Sequence, residues 1–194
     1  MTQAVDPIGE NGVDLRNYGE PIGIIEARKL GADILDSKID LTIAGEQSSY
    51  LLMTQLLLGR FLFGLDDDPW KNDKEPAFLC AVPGFDRHFA TLEGLGLKMH
   101  TVNLCSSGID LDDLNKKLSK YPNIKGLICV PRHSNPSGEV FSDENITNLL
   151  KITKEYNRSF INLFDHAYLI HDFDETQPQT CLLYTSDAAD EWRS

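Results

Sequence analysis

Asp165, His166 and Tyr168 stand directly after the apolar run FINLF, Phe160 to Phe164. A carboxylate at the end of such a run is costly unless a cation or several hydrogen-bond donors meet it. A protonated heteroaromatic nitrogen would satisfy it. A metal ion would need a further group of ligands at metal spacing. His166 and His171 are near in sequence, but no such group accompanies them, so no metal is expected.

Three other stretches could do chemistry, and each has a plainer explanation beside it. VPGFDRHF sets Phe85 just past a Pro-Gly turn, where the ring could stack on a flat ligand or simply join a core. VPRHSNPSG holds Asn135 in a turn signal, and an asparagine amide there could donate to a phenolate or carboxylate oxygen. AGEQSSYLL leads from Gly45 through Glu46, Gln47 and Ser48 into a helical pattern. Backbone N–H groups at a helix start can hold a phosphate, with the Ser48 and Ser49 hydroxyls helping, but N-capping by serine explains the same residues.

The elements that must position these residues alternate regularly. Strand-like runs are LTIAG, AFLCAVPG, KMHTVNL, IKGLICVP and SFINLFD. Between them lie helical patterns: PIGIIEARKLGADIL, a long apolar SYLLMTQLLLGRFLFG expected to be buried and to end at Gly64, RHFATLEGLG, DLDDLNKKLSKY and SDENITNLLKITKEYN. The last of these has Ser142 at its N-cap position. Strand–helix alternation with near-continuous apolar strands predicts an α/β fold, a three-layer arrangement with a mostly parallel sheet and helices on both faces. In such sheets ligands collect beyond the carboxyl ends of the strands, which is where AGEQSS, PGFDRHF, PRHSNPSG and DHAY fall.

Composition narrows the class. The chain has 194 residues, 41% hydrophobic and 25% charged, enough for one domain with a sizeable core. With 18 Lys and Arg against 30 Asp and Glu, the formal charge is −12, which disfavours a nucleic-acid or anionic-membrane surface. LLMTQLLLGRFLFGL is interrupted by Arg60 and is too short to span a bilayer, and no export signal opens the sequence. A cytoplasmic protein is expected, with the four cysteines as reduced, buried thiols.

In this order, NYGEPIG, AGEQSS, VPGFDRHF, VPRHSNPSG and FDHAY resemble the motifs of the fold-type I pyridoxal-phosphate aminotransferases. The likeness is to the bacterial class I aspartate aminotransferase-like subgroup, whose members carry relatives of RNYG, GNSS, PGYDRHF, CVPKYSNPTG and DNAYAVHH, and it covers about residues 15 to 172. The resemblance implies pyridoxal 5'-phosphate as cofactor, with Asp165 pairing its pyridine nitrogen. It implies that Tyr168 and Asn135 bond the phenolic oxygen, that Asn135 also touches the substrate carboxylate, and that Phe85 stacks on the ring. Glu46, Gln47 and Ser48 would cradle the phosphate, and Tyr18 would reach the phosphate in the neighbouring subunit of a homodimer. The substrates implied are an amino acid, aspartate by the subgroup's example, and a 2-oxo acid. Relatives carry Gly and Asn where this chain has Glu46 and Gln47, and Asn where it has His166. A carboxylate beside the pyridine nitrogen makes chemical sense, because an opposite charge keeps that nitrogen protonated.

The family's chemistry also needs a lysine some dozens of residues beyond the Asp-x-x-Tyr, and the last lysine here is Lys154. The chain is therefore expected to be a fragment of the large, cofactor-binding domain over residues 1–180, without the Schiff-base lysine and without catalytic residues of its own. Residues 181–194 are expected to be a non-native tail, since CLLYTSDAADE, Cys181 to Glu191, matches one translated frame of a common transposase-type sequencing adapter. Two other readings use the same scaffold: a lyase or decarboxylase with the same cofactor, and a non-catalytic aminotransferase-like module that binds an effector. A nucleotide-binding Rossmann protein lacks its G-x-G-x-x-G after the first strand.

Overall fold

The computed structural model describes residues 6–45, 47–65 and 67–172. They fall into two compact units, one running to Gln47 and one beginning at Ser48. In the first, helix α1 (Ile25–Leu35) is followed by a 3-10 turn, Ile39–Leu41. LTIAG, expected as a strand, is not one. The buried Arg28 guanidinium donates to the carbonyls of Ile39 (2.7 Å) and Thr42 (2.9 Å). Of LTIAG only the Thr42 carbonyl is met in this way, and it is satisfied there without a strand partner.

The second unit begins with α2 (Ser49–Phe63), closed by Gly64 at φ 83°, as its sequence predicts. The strands and the remaining helices follow: β1 (Ala77–Val82), α3 (Asp86–Gly94), β2 (Lys98–Cys105), β3 (Gly108–Ile109), α4 (Leu111–Lys120), β4 (Ile124–Cys129), α5 (Asp143–Tyr156) and β5 (Ile161–Phe164). The sheet order is β3-β2-β1-β4-β5, with β1, β2, β4 and β5 parallel and β3 antiparallel to β2. The two-residue β3 carries too little pattern to be read from sequence.

The starts of α4 and α5 follow side-chain chemistry. Asp110 accepts from the backbone N–H groups of Asp112 and Asp113, both at 3.0 Å, and Ser142 accepts from that of Asn145 at 3.1 Å. Asn145 has a second role. Its amide donates to the Ile109 carbonyl (2.8 Å) and accepts from the Ile109 N–H (3.0 Å), occupying the outer side of β3.

The chain steps from β1 to β2 in one direction and reaches β4 and β5 in the other. Right-handed crossovers then put α3 on one face of the sheet and α5 on the opposite face. The packing agrees. Leu92 of α3 and Leu57 of α2 share one core with Trp70, Phe78, Cys80 and Ile128, while Leu79 and Leu127 alternate to the other side. Burial differs from expectation along α2: Leu57 is its one fully buried residue, and Leu51, Leu56, Leu58 and Phe63 are exposed. A helix apolar on most faces reads as core from its composition, yet here most of that surface has no cover within the described residues. Cys80 and Cys129 are buried as expected, but Cys105 is exposed at the end of β2. Cys181 and the rest of residues 173–194 lie outside the described residues. No described helix is long and apolar enough to cross a membrane.

Candidate active site at the carboxyl ends of the strands

Because β1, β4 and β5 run parallel, the segments that follow them leave the same edge of the sheet. The chain reverses its direction of winding between β1 and β4, and in open α/β sheets the crevice at such a point takes ligands. After β1 come Pro83, Gly84 and Phe85. Gly84 is required there, since a Cβ would lie 2.4 Å from the Ala81 carbonyl oxygen and 2.9 Å from the Phe89 ring. Phe85 is half-buried and directly precedes α3. His88, one turn into α3, meets its ring edge-on at 5.2 Å and 85°.

Asp165 continues the β4–β5 pairing, its N–H donating to the Cys129 carbonyl at 2.9 Å. Its side chain is buried at 9% exposure. Its Oδ2 lies 2.9 Å from Nε2 of the more deeply buried His88, and its Oδ1 accepts from the Ala167 N–H at 3.0 Å. The His88 contact foremost, against the cost of burial, holds this carboxyl below the usual carboxylate range. Asp165 is thus a buried anion with both oxygens oriented. A carboxylate can accept about four hydrogen bonds, so a further donor can still be taken.

The loop after β4 carries Asn135, whose Nδ2 donates to the Tyr168 hydroxyl at 3.3 Å. The resemblance paired these two residues on one ligand oxygen, and the fold brings them together. The same loop is tied to the segment beyond Tyr168. The buried Arg132 guanidinium grips the Asp172 carboxylate with two prongs, Nε to Oδ1 at 2.9 Å and a terminal nitrogen to Oδ2, while His133 Nε2 lies 2.6 Å from the same Oδ1. Arg132 first, and then His133, keep Asp172 below its ordinary pKa.

Among the described residues neither ring nitrogen of His166, beside Asp165, meets a partner, and burial, opposed by Asp165 and helped by nearby Arg132, lowers its pKa. Ser48 begins α2, but its hydroxyl does not cap the helix. Gln47 and Tyr18 belong to the first unit, where Tyr18 is 97% exposed. Glu46 lies outside the described residues. Among the described residues no group of three His, Cys, Asp or Glu could hold a metal ion. His88 and the Arg132–Asp172 pair were not singled out from sequence. Only the spacing of His88, three residues after Phe85 and so on the same helix face, could have pointed to it.

The sequence profile of the family described as aspartate amino-transferase matches residues 2–190. The chain belongs to that family. It is 33% identical over 171 residues to an aspartate aminotransferase of Corynebacterium glutamicum, covering 87% of this chain and 39% of that one. A crystal structure of an aspartate transaminase from Corynebacterium glutamicum superposes with a TM-score of 0.86 at 31% identity, covering 95% of this chain and 44% of the other. An α-aminoadipate aminotransferase from Thermus thermophilus, solved with N-(5'-phosphopyridoxyl)-L-leucine, shares the fold with a TM-score of 0.71 at 20% identity, over 90% of this chain and 41% of that one. This aspartate aminotransferase family member thus spans about two-fifths of the length of the relatives it matches. Its α/β sheet is that of the fold-type I large domain.

Proposed function

We propose that the protein to which this chain belongs is a pyridoxal-phosphate-dependent aminotransferase, moving an amino group between an amino acid, aspartate as the first candidate, and a 2-oxo acid. The observation that carries the reading is Asp165, a buried carboxylate at the strand ends held ionised by His88 and the Ala167 N–H, with Asn135 and Tyr168 paired on the neighbouring loops. That donor set fits a ring with a basic nitrogen and a phenolic oxygen.

Pyridoxal phosphate, when bound, supplies an electron sink for the substrate's α-carbon. The protein's part is to bind and tune. Asp165 would hold a proton on the ring nitrogen, because a carboxylate with a lowered pKa leaves the proton on its partner. His88 fixes the Asp165 rotamer by donating to Oδ2. The Tyr168 hydroxyl and Asn135 amide would donate to the phenolic oxygen, and Asn135 would also meet the substrate carboxylate. Phe85 offers its ring face for stacking. Ser48, following Glu46 and Gln47, would hold the phosphate with the first N–H groups of α2, and its uncapped hydroxyl supports this.

The same reading makes the protein a cytoplasmic homodimer in which Tyr18 serves the neighbouring subunit's phosphate. The exposed leucines of α2 support a partner surface. The test is to incubate the full-length protein, loaded with pyridoxal phosphate, with aspartate and 2-oxoglutarate. Formation of glutamate matched by the 2-oxo acid of aspartate, and its loss in Asp165→Ala, is expected. Release of carbon dioxide or ammonia with no glutamate formed would overturn the reading in favour of a lyase.

A further inference from the structure

We propose that Arg132, His133 and Asp172 are positioning residues, a clamp that holds the Asn135 amide and the Tyr168 hydroxyl within reach of one ligand oxygen. The inference rests on the reading above, in which that oxygen is the cofactor's phenolic one. It starts from a mismatch of strengths. The direct bond between Asn135 Nδ2 and Tyr168 Oη is 3.3 Å, beyond the ~3.2 Å limit of ordinary N–H···O bonds, and so too weak to fix the two donors against each other. A second link joins the same two segments and is far stronger. Two successive residues of the Asn135 loop converge on one carboxylate 40 residues further on, Arg132 with a two-pronged, charge-assisted grip and His133 at 2.6 Å. Such bonds are roughly twice as strong as neutral ones, and the fork also fixes orientation.

Geometry makes the clamp stiff. Arg132 is 2% exposed, so water does not compete for its guanidinium. His133 has φ 50°, a left-handed backbone that a non-glycine residue keeps only where its surroundings impose it. Its grip on Asp172 is such an imposition. Asn135 lies two residues beyond His133, in a loop closed on itself by Ser134 N–H to Glu139 O (2.9 Å) and Phe141 N–H to Pro131 O (2.8 Å). On the other side, Leu169 N–H to His166 O and His171 N–H to Tyr168 O, both 3.1 Å, carry Tyr168 to Asp172 through consecutive turns. Little slack is left between the clamp and either donor.

The test uses pyridoxamine 5'-phosphate, which binds without a Schiff base, and its 3-deoxy analogue, which lacks the phenolic oxygen. Asn135→Ala should weaken the first about tenfold and the second less than about twofold. If the clamp positions the donors, Asp172→Asn reproduces that selective loss. Asp172→Asn removes the charge opposite a buried guanidinium and could unfold the protein, so the double variant Arg132→Met with Asp172→Leu carries the same test with the charge pair replaced by apolar groups. Equal weakening of both ligands, or of neither, by the clamp variants while Asn135→Ala still separates them would overturn the clamp alone. If Asn135→Ala fails to separate the ligands, the phenolic-oxygen reading falls and the clamp falls with it.

Discussion

His88 Nε2 lies 2.9 Å from Asp165 Oδ2, a buried contact between residues 77 apart in sequence. It joins the first turn of α3 to the end of β5, so the carboxylate assigned to the cofactor nitrogen is aimed from a neighbouring element.

Removing that aim should be measurable. His88→Ala takes away the largest cause of the lowered Asp165 pKa, which then rises toward the ordinary carboxylate value. Cofactor affinity should fall about tenfold, the worth of one charge-assisted hydrogen bond. The acid midpoint of binding should move to higher pH. An absorbance titration of pyridoxal phosphate against the variant across pH reads both effects, and an unmoved midpoint would show that His88 does not set the charge of Asp165.

His166 should make the fold acid-sensitive above the range where carboxylates titrate. Its folded pKa is depressed, chiefly by burial, below the ordinary ~6.5. Between the two values the unfolded chain binds more protons, so stability rises with pH there and is lost as pH falls from about 6.5. His166→Asn removes this slope. Urea unfolding at about pH 7 and about pH 5.5 should show a smaller difference in the variant than in the parent chain.

Thiol chemistry should separate the described cysteines. Burial pushes Cys80 up to about 12 and raises Cys129 further, which leaves both without reactive thiolate. Cys105 is exposed. Of these three, Cys105 alone should label in the native protein, with Cys80 and Cys129 following only in denaturant, as peptide mapping of the labelled chain would read out.

Gly126→Ala should destabilise the sheet. A Cβ at Gly126 would lie 2.4 Å from the Phe78 ring and 2.5 Å from the Ile161 carbonyl oxygen. Phe78 is fully buried in the core shared with Trp70 and Leu92, and the Ile161 carbonyl is backbone. Overpacking of this kind costs about 1–3 kcal/mol, read as a lower denaturation midpoint.

Period and punctuation made much of this legible. Four of the five expected strands form, because apolar runs such as AFLCAV and IKGLIC have few other ways to bury themselves. Helices α4 and α5 start at their caps, Asp110 and Ser142. LTIAG misled because a strand is defined by its pairing partner, and the Thr42 carbonyl is met by Arg28 instead. Burial of α2 was overread because composition shows that a face is apolar and leaves open whether anything covers it. At the site, Asp165, Tyr168, Asn135 and Phe85 stood out because their types are unusual at strand ends. His88, Arg132 and Asp172 did not, since an ion pair between residues 40 apart leaves no local pattern.

Asn145 gives the sheet a direction. By bonding both backbone groups of Ile109, its amide imitates the strand that would otherwise dock there, so β3 offers no free backbone pair at Ile109. On the opposite flank, β5 pairs only with β4 among the described strands. A strand laid down past β5 would lie beside the segment that carries Asp165.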